Sequence, residues 1–366
     1  LRCLVGSEMC IRDRLILFAM GAIGLLTAIP VLAVMLIILG LGWEKTFHFV
    51  KITLWKRSKD FTATPLQVLT VMVLFIFIAM NLTASIRPFP IGFDAMNLYV
   101  NTPKLLGEYG ALTQGGQAYN WSLFMSLGFV LSDSVPLTLL LSIVPGILAC
   151  FVLFKIARNF LNTGWSLVVI SIYYTTPMVT WQSNYEAKVD LGLLFVLLGT
   201  VVLFLEDNSK GKPANAPASG FPFFKNLFSK PLFSTSETVN KWIVIGWILG
   251  FAFGIKYTTL FAIIAFMAVI LYQNASKWAF MGMFFIAFAG IFSMKLYEFS
   301  VIEIENSQRL TLVAICMLLG AALTAYSIVK EREGVMKGLR LFLPLLIPIA
   351  IALSLIHISE PTRHRR

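Results

Sequence analysis

The sequence is poor in charged residues and in histidine. Only 13% of its 366 residues are charged, and it contains 3 histidines. About a quarter of the residues in a soluble globular domain are charged, so this composition excludes an ordinary soluble enzyme. Intrinsic disorder is also excluded, because 31 Phe and 8 Trp would not remain solvated. Hydrophobic residues make up 58% of the chain and the mean hydropathy is +0.82, which indicates a polytopic membrane protein.

The two ends of the chain can be encoded by related DNA sequences. Leu4–Asp13 (LVGSEMCIRD) and Leu353–Thr362 (LSLIHISEPT) can be encoded by DNA strings that are reverse complements of each other. Natural protein ends have no reason to show this relation, whereas a transposase adapter read during sequencing does. We therefore expect 1–14 and 353–366 to be adapter sequence, and 15–352 to be a multi-span domain truncated at both ends.

Excluding these segments changes the chemistry that the chain offers. Lys and Arg fall from 29 to 23 and Asp and Glu from 18 to 15, so the net charge becomes +8 rather than +11. His48 is then the one remaining histidine, and Cys150 and Cys316 remain within apolar runs, where we expect buried, inert thiols. The positive excess follows the loops described next, so it does not indicate nucleic-acid binding.

Apolar runs and basic loops together predict the topology of an all-α membrane helix bundle. The runs cover about 15–42, 65–86, 135–157, 164–181, 189–205, 242–272, 277–295, 309–329 and 341–352. Clustered Lys and Arg mark four connections as cytoplasmic by the positive-inside rule, namely 43–64, 155–163, the Pro/Gly/Ser/Lys-rich linker 206–241, and 330–340. Alternation then makes 181–188 extracytoplasmic, together with a loop over 87–134 that carries interfacial helices.

The membrane topology of two segments does not follow from counting apolar runs alone. The run 119–132 is too short to cross a bilayer at about 1.5 Å per residue, so we interpret it as an interfacial or re-entrant helix. The run 242–272 begins and ends beside cytoplasmic charge and contains Lys256 near its middle. Two short helices with Lys256 at their extracytoplasmic turn avoid placing a lysine at mid-bilayer, and we prefer them to a single long helix.

This topology gathers acids and lysines on the extracytoplasmic side, without histidine or cysteine. The residues are Asp94, Lys104, Glu108, Asp133, Glu186, Lys188, Asp190, Lys256, Glu298, Glu303 and Glu305. Zinc sites with nitrogen or sulfur ligands, Ser-His-Asp triads and thiol nucleophiles are therefore unsupported. Phosphate-cradling GxxxxGK[ST] and GxGxxG loops do not occur in the sequence either. Acid–base chemistry here must rest on carboxylates.

Asp94 and Asp190 are the leading candidates, and each has a structural alternative. If a helix begins at Asp94, then Asn97 shares its face at i, i+3; alternatively, Asp94 only caps that helix. Asp190 opens the run 189–205, and it is either a functional acid at a membrane mouth or an acid favoured by the helix dipole. Glu186 and Lys188 lie nearby and are explained equally well as solvated loop residues.

The order of several short motifs resembles the GT-C superfamily of membrane glycosyltransferases. FDAMNLY, NTPKLL, YNWSLF, YYTTPMVTWQSNYEAKVDLGLLF and WILGFAFGIKYTTL follow one another over roughly 66–271. The pattern is most similar to the bacterial branch that uses polyprenyl-phosphate sugars, such as protein mannosyltransferases and the lipid A aminoarabinose transferases. Asp94 matches the family's acid in the first extracytoplasmic loop and Asp190 its second acid, while Lys256 matches the lysine after a Gly-rich helix.

The resemblance implies inverting sugar transfer from a polyprenyl-phosphate donor to a cell-envelope acceptor at the extracytoplasmic face. Asp94 would be the general base, and Asp190 would orient the acceptor or Lys256. Residues implied in binding donor or acceptor are Tyr99, Lys104, Tyr119, Trp121, Glu186 and Lys256. The aromatic Tyr119 and Trp121 would line the path of the lipid or sugar; alternatively, they belong to the interfacial belt that is common at helix ends. No cofactor is firmly implied. Many relatives place a second acid directly beside the first, whereas Ala95 follows Asp94 here, which argues against a divalent metal.

A transporter, flippase or polymerase for a polar or lipid-linked substrate is the alternative function. It would favour charges paired within the bilayer and broken helices in two related halves. The sequence contains one such interruption, at Lys256, and no internal repeat. A non-catalytic scaffold would have no use for the clustered extracytoplasmic acids. Partners expected in either case are membrane lipids and a sugar-linked or polar substrate, and no nucleic acid.

Overall fold

The structure, a computed structural model, describes residues 16–38, 40, 64–112, 120–184, 186–206, 235–274, 277–293 and 304–358, and these are helical, with no strand among them. The helices are α1 (16–22), α2 (Ala28–Ile38), α3 (Pro65–Ala84), a π-helix (Ala95–Tyr99), α4 (Asn101–Tyr109), α5 (Asn120–Met125), α6 (Leu127–Ser132), α7 (Val135–Ala157), α8 (Thr163–Thr175), α9 (Pro177–Asn184), α10 (Asp190–Glu206), α11 (Thr235–Phe253), α12 (Thr259–Asn274), α13 (Lys277–Ser293), α14 (Asn306–Lys330) and α15 (Arg332–Ile358). The expected all-α class is therefore confirmed for the described part of the chain.

Four of these helices have the length and apolar composition needed to cross a membrane. Within the described ranges they are Pro65–Ala84, Val135–Ala157, Asn306–Lys330 and Arg332–Ala352. The outer face of α3 is apolar and uncovered, with Leu69 58% and Phe75 70% exposed. Such a surface is costly in water and suits contact with lipid. These features are consistent with a helical membrane protein.

Local signals explain where the best-predicted helices begin. At α3, Thr64 and Gln67 form a reciprocal capping box, and Pro65 occupies the first turn, where its missing N–H costs nothing. At α7, the Ser134 hydroxyl accepts the N–H of Leu137. The helix α7 covers Val135–Ala157, the same range as the predicted apolar run.

The predicted run 164–181 differs, because the structure divides it into α8 and α9. The break falls at Thr176, whose ψ of 130° is extended rather than helical. Pro177 follows, and a proline ring disfavours helical geometry in the residue before it. At 13 residues, α8 alone is about 20 Å long, which is shorter than the hydrocarbon core of a bilayer.

The segment predicted as an interfacial or re-entrant helix forms α5 and α6, two helices of 6 residues each. Leu123 and Met125 have no exposed surface, so the segment lies inside the protein and is not an amphipathic helix on a surface. In one apolar cluster Leu123 and Leu127 pack with Leu106 of α4. This cluster holds the predicted extracytoplasmic loop together.

The 242–272 run is divided at Lys256, as the preferred interpretation requires. The helix α11 ends at Phe253 and α12 begins at Thr259. The rings of Trp242 and Phe266, each about a dozen residues from the break, have their centroids 6.4 Å apart. The two helices therefore fold back on each other, and Lys256 lies in the turn that joins them.

The chain forms two compact units. The first contains the described residues up to Leu205 together with Phe251–Tyr257 and 352–358, and the second contains those of Glu206–Gly250 and Thr258–Ile351. In the second unit, α13 and α14 cross closely at Gly282 and Gly320. A methyl group at either position would lie within about 3 Å of the other helix's backbone oxygen. Small residues at such crossings are typical of helix packing in membranes.

Candidate functional site

The first unit brings Asp190 and Lys256 into direct contact. The Lys256 ammonium donates a hydrogen bond to Oδ1 of Asp190 at 2.6 Å. Asp190 is the first residue of α10, so its charge also lies at the favourable end of the helix dipole. Both side chains are more than two-thirds buried. A short charge-assisted bond between residues 66 positions apart is therefore a specific tertiary feature.

Asp94 lies in a second ion pair, with Lys188. Asp94 Oδ2 is 3.2 Å from Lys188 Nζ, and the same ammonium also contacts the carboxylate of Glu186. Asp94 makes no capping hydrogen bond to its own helix, which contradicts the capping interpretation. Gly92 allows the close approach of the two segments, because a methyl group there would lie 2.5 Å from Glu186 Cγ.

A π-helical turn links Asp94 to Tyr99. The Val100 N–H donates to the Ala95 carbonyl five residues back, which widens the turn. In an α-helix, a side chain five residues further along points about 140° away from the first one. The wider π-turn rotates less per residue, so it returns Tyr99 towards the side of Asp94. Asn97, expected to share that side, is exposed. Single π-turns occur often at functional sites.

The charges of both ion pairs act on the Tyr99 hydroxyl. Burial raises the pKa of the Tyr99 hydroxyl above its ordinary value, the Lys256 charge opposes this, and the charges of Asp190 and Asp94 add to it. At Lys188, burial lowers the pKa, but hydrogen bonds to Glu186 and Asp94 outweigh it, so the net pKa is raised. Tyr99 therefore experiences the charges of both pairs, and Lys188 stays protonated.

Lys188 was not singled out from the sequence, although a local pattern was present. In EAKVD the polar residues Glu186, Lys188 and Asp190 alternate with Ala187 and Val189. The two apolar residues are only 2% and 4% exposed, while the three polar ones are partly exposed. Along an extended segment, successive side chains point to opposite sides and every second one to the same side, so this period of two was the signal that places the three charges together.

The remaining predicted binding residues are placed differently. Lys104 lies on α4 and pairs with Glu108 at 3.6 Å, with both side chains about half exposed. Trp121 is 1% exposed and packs against Gly192, so it supports the first turn of α10 from inside and does not form the wall of an open path. Tyr119, also predicted to bind substrate, lies outside the described residues.

The arrangement offers carboxylates and ammonium groups in one place. The group of charges formed by Asp94, Glu186, Lys188, Asp190 and Lys256, with Tyr99 among them, is called the charged cluster below. Among the described residues, no set of three or more His, Cys, Asp or Glu side chains is placed to hold a metal ion. The chemistry that these residues support is proton transfer to a carboxylate beside cationic hydrogen-bond donors.

Comparison with known proteins adds no further constraint. No protein-family model matches this chain, and neither a curated protein nor a solved structure does so. The function proposed below therefore rests on the charged cluster and on the order of the sequence motifs.

Proposed function

We propose that this protein is a GT-C-like membrane glycosyltransferase that moves a sugar from a polyprenyl-phosphate donor to a cell-envelope acceptor. The observation that carries the proposal is the charged cluster, in which acids and lysines distant in the sequence lie together around Tyr99. The reaction needs a base at the acceptor hydroxyl and a cation at the departing phosphate. In this proposal the site faces the extracytoplasmic side of a bacterial cytoplasmic membrane.

Asp94 is the proposed general base. A carboxylate has two oxygens that accept hydrogen bonds, and Asp94 uses Oδ2 with Lys188. Its other oxygen can then receive the proton of the acceptor hydroxyl as that oxygen attacks the anomeric carbon. The side chain is 43% exposed, which leaves room for an acceptor to approach. Lys188 fixes the carboxylate and is itself shared with Glu186.

Lys256 is the proposed phosphate clamp. An ammonium group has three N–H donors, and the bond to Asp190 uses one of them. The positive charge of this ammonium can stabilise the phosphate oxygens, where negative charge grows as the sugar–phosphate bond breaks. Of the two roles expected for Asp190, this geometry favours the one in which it orients Lys256 and not the one in which it binds the acceptor. Tyr99, beside both pairs, is suited to a hydrogen bond with the sugar.

The other binding roles proposed from the sequence need adjustment. Lys104 is tied to Glu108 on an exposed face of α4, so its contribution is to attract the anionic donor rather than to hold it. Glu186 contacts Lys188, so it acts on the base through that lysine. Trp121 acts through the backbone that it supports.

Replacing the proposed base tests the function most directly. Asp94→Asn keeps the shape of the side chain but removes the proton acceptor. We expect sugar transfer to fall by about 10²–10⁴-fold if proton transfer contributes. The assay uses protein expressed from its genomic locus, reconstituted in lipid vesicles, with a radiolabelled polyprenyl-phosphate hexose and extracted cell-envelope lipids as acceptors.

Asp133→Asn is the matched control. Asp133 has a positive φ of 45° at the end of α6 and is exposed, and asparagine tolerates that backbone conformation well. Transfer should therefore remain within about twofold, as for most surface substitutions. Unchanged transfer by Asp94→Asn contradicts the base assignment. Movement of the labelled lipid across the membrane without any sugar transfer would favour the transporter instead.

A further inference from the structure

Asn120 and Trp121 are adjacent at the start of α5, and they contact the backbone beside opposite members of the Lys256–Asp190 pair. The Asn120 side-chain amide donates to the Phe251 carbonyl at 2.9 Å, and its backbone N–H donates to the Gly254 carbonyl at 3.2 Å. Both carbonyls belong to the last turn of α11 and the turn that carries Lys256. Two hydrogen bonds therefore attach that turn to α5.

These carbonyls lie at the end of a helix, where internal donors are fewest. The last carbonyls of any helix lack N–H donors within the helix. After α11, the N–H groups of Ile255 and Lys256 both donate to the Ala252 carbonyl. Asn120 supplies a donor to the Phe251 carbonyl from a position 131 residues away. The conformation of the turn thus depends on this side chain.

Trp121 acts on the other member of the pair. Its indole covers Gly192, two residues after Asp190, so closely that a methyl group at Gly192 would lie 2.5 Å from the ring carbons. The ring is 1% exposed, so it has little freedom to move aside. Close packing of this kind fixes the first turn of α10, and with it the carboxylate of Asp190.

We propose that Asn120 and Trp121 form a brace that sets the separation of the Lys256 ammonium from the Asp190 carboxylate. One dipeptide holds both backbone segments, so the pair keeps its 2.6 Å geometry whether or not a substrate is present. The functional part of this inference rests on the proposed glycosyl transfer, in which the brace aims Lys256 at the donor phosphate. Asn120 and Trp121 are then positioning residues that do not touch the substrate.

Two substitutions weaken the brace with little change of size. Asn120→Asp is isosteric, but its carboxylate cannot donate to the Phe251 carbonyl and repels it. Gly192→Ala adds one methyl group against the indole of Trp121. Asn274→Asp is the matched control for the first, because the Asn274 amide donates to the carbonyl of Ile270 in its own helix, also at 2.9 Å.

The control for the glycine is Gly290→Ala, because no atom lies within 4 Å of the added methyl group. Cross-linking measures the geometry without reference to activity. Cysteines replace Lys256 and Asp190 in a background whose native cysteines are alanine, and a short bifunctional thiol reagent is added to native membranes. With the brace intact we expect rapid cross-linking. Asn120→Asp or Gly192→Ala should slow it by about tenfold, since a displacement near 1 Å has effects of this order or more in aligned sites.

The two control variants should cross-link at the unmodified rate. Equal rates for the brace variants and the controls would overturn the proposal. A variant that fails to fold is recognised by size-exclusion chromatography, and the remaining brace variant then decides. The cross-linking result stands even if the protein transfers no sugar, so failure of the proposed function and failure of the brace are distinguishable.

Sugar-transfer rates of double variants test whether the brace acts through Lys256. If it does, Asn120→Asp added to Lys256→Met should cost little more than Lys256→Met alone, since residues acting as one unit are not additive. A merely structural role predicts independent losses that multiply. Multiplying losses in folded double variants would therefore also overturn the positioning role.

Discussion

Two lysine–carboxylate pairs in this protein differ in origin and in environment. Lys104 and Glu108 are one helical turn apart on α4, 3.6 Å from each other, with side chains 51% and 52% exposed. Lys256 and Asp190 come from different helix ends, 2.6 Å apart, with side chains 29% and 26% exposed. Helix spacing alone produces the first pair. The second requires tertiary structure to bring its partners together, which is why it belongs to the candidate site and the first does not.

The strongest test concerns the side of the membrane on which the two pairs lie, because its outcome is all or none. Both pairs are predicted to lie on the extracytoplasmic side, opposite the linker 206–241. Cysteines at Asn184 and Ser219 should therefore react with a membrane-impermeant thiol reagent from opposite sides of the membrane. Labelling of both positions from one side would contradict the topology and, with it, the extracytoplasmic placement of Lys256.

Removal of the ammonium group of each pair should change the rate of sugar transfer by very different factors. Lys256→Met keeps the aliphatic stem but removes the charge proposed to stabilise the departing phosphate, and loss of one such donor costs about 10²–10³ in rate. Lys104→Met removes an exposed charge and should slow transfer by less than about threefold, mainly at low salt. Steady-state transfer at two ionic strengths measures both effects.

Equal losses in the two variants would contradict the assignment of the clamp. A loss confined to Lys104→Met would instead place the donor phosphate on α4. Asp190→Asn provides a further check, because it should leave Lys256 charged but poorly oriented. Its effect is expected to lie between those of the two lysine variants, as for a partner that orients a catalytic group.

The sequence predicted the features that have local causes. The bounds of α7 and the division of 242–272 at Lys256 follow from apolar length, basic flanks and the cost of a buried lysine. The break before Pro177 was missed although the proline predicts it, because the apolar run continues through it. For each of these, the controlling residues lie within a few positions of the feature.

The contacts of the site could not be obtained in the same way. Asp94 and Asp190 were identified by motif order, and Lys256 was one of the two partners expected for Asp190, but Lys188, the partner of Asp94, looked like an ordinary loop residue. The hydrogen bond from Asn120 to the Phe251 carbonyl joins residues 131 positions apart, and nothing local to either residue indicates it. Pairings between distant segments depend on how helices pack, which hydropathy does not encode.

The smallest expected effect concerns the stability that each pair contributes. A double-mutant cycle over Lys104→Met and Glu108→Gln should give a coupling of about 0.3–0.5 kcal/mol, as for exposed i, i+4 pairs. Solvent screens this pair, so the coupling should fall further as salt is added. The equivalent cycle over Lys256→Met and Asp190→Asn should give a larger coupling that is less sensitive to salt, because these side chains are more buried and their bond is shorter. Thermal unfolding in detergent micelles at two salt concentrations provides all the values. Equal coupling in the exposed and the buried pair would mean that burial and the brace add nothing to what helix spacing alone provides. That result would contradict the proposal that Lys256 and Asp190 form a preorganised pair.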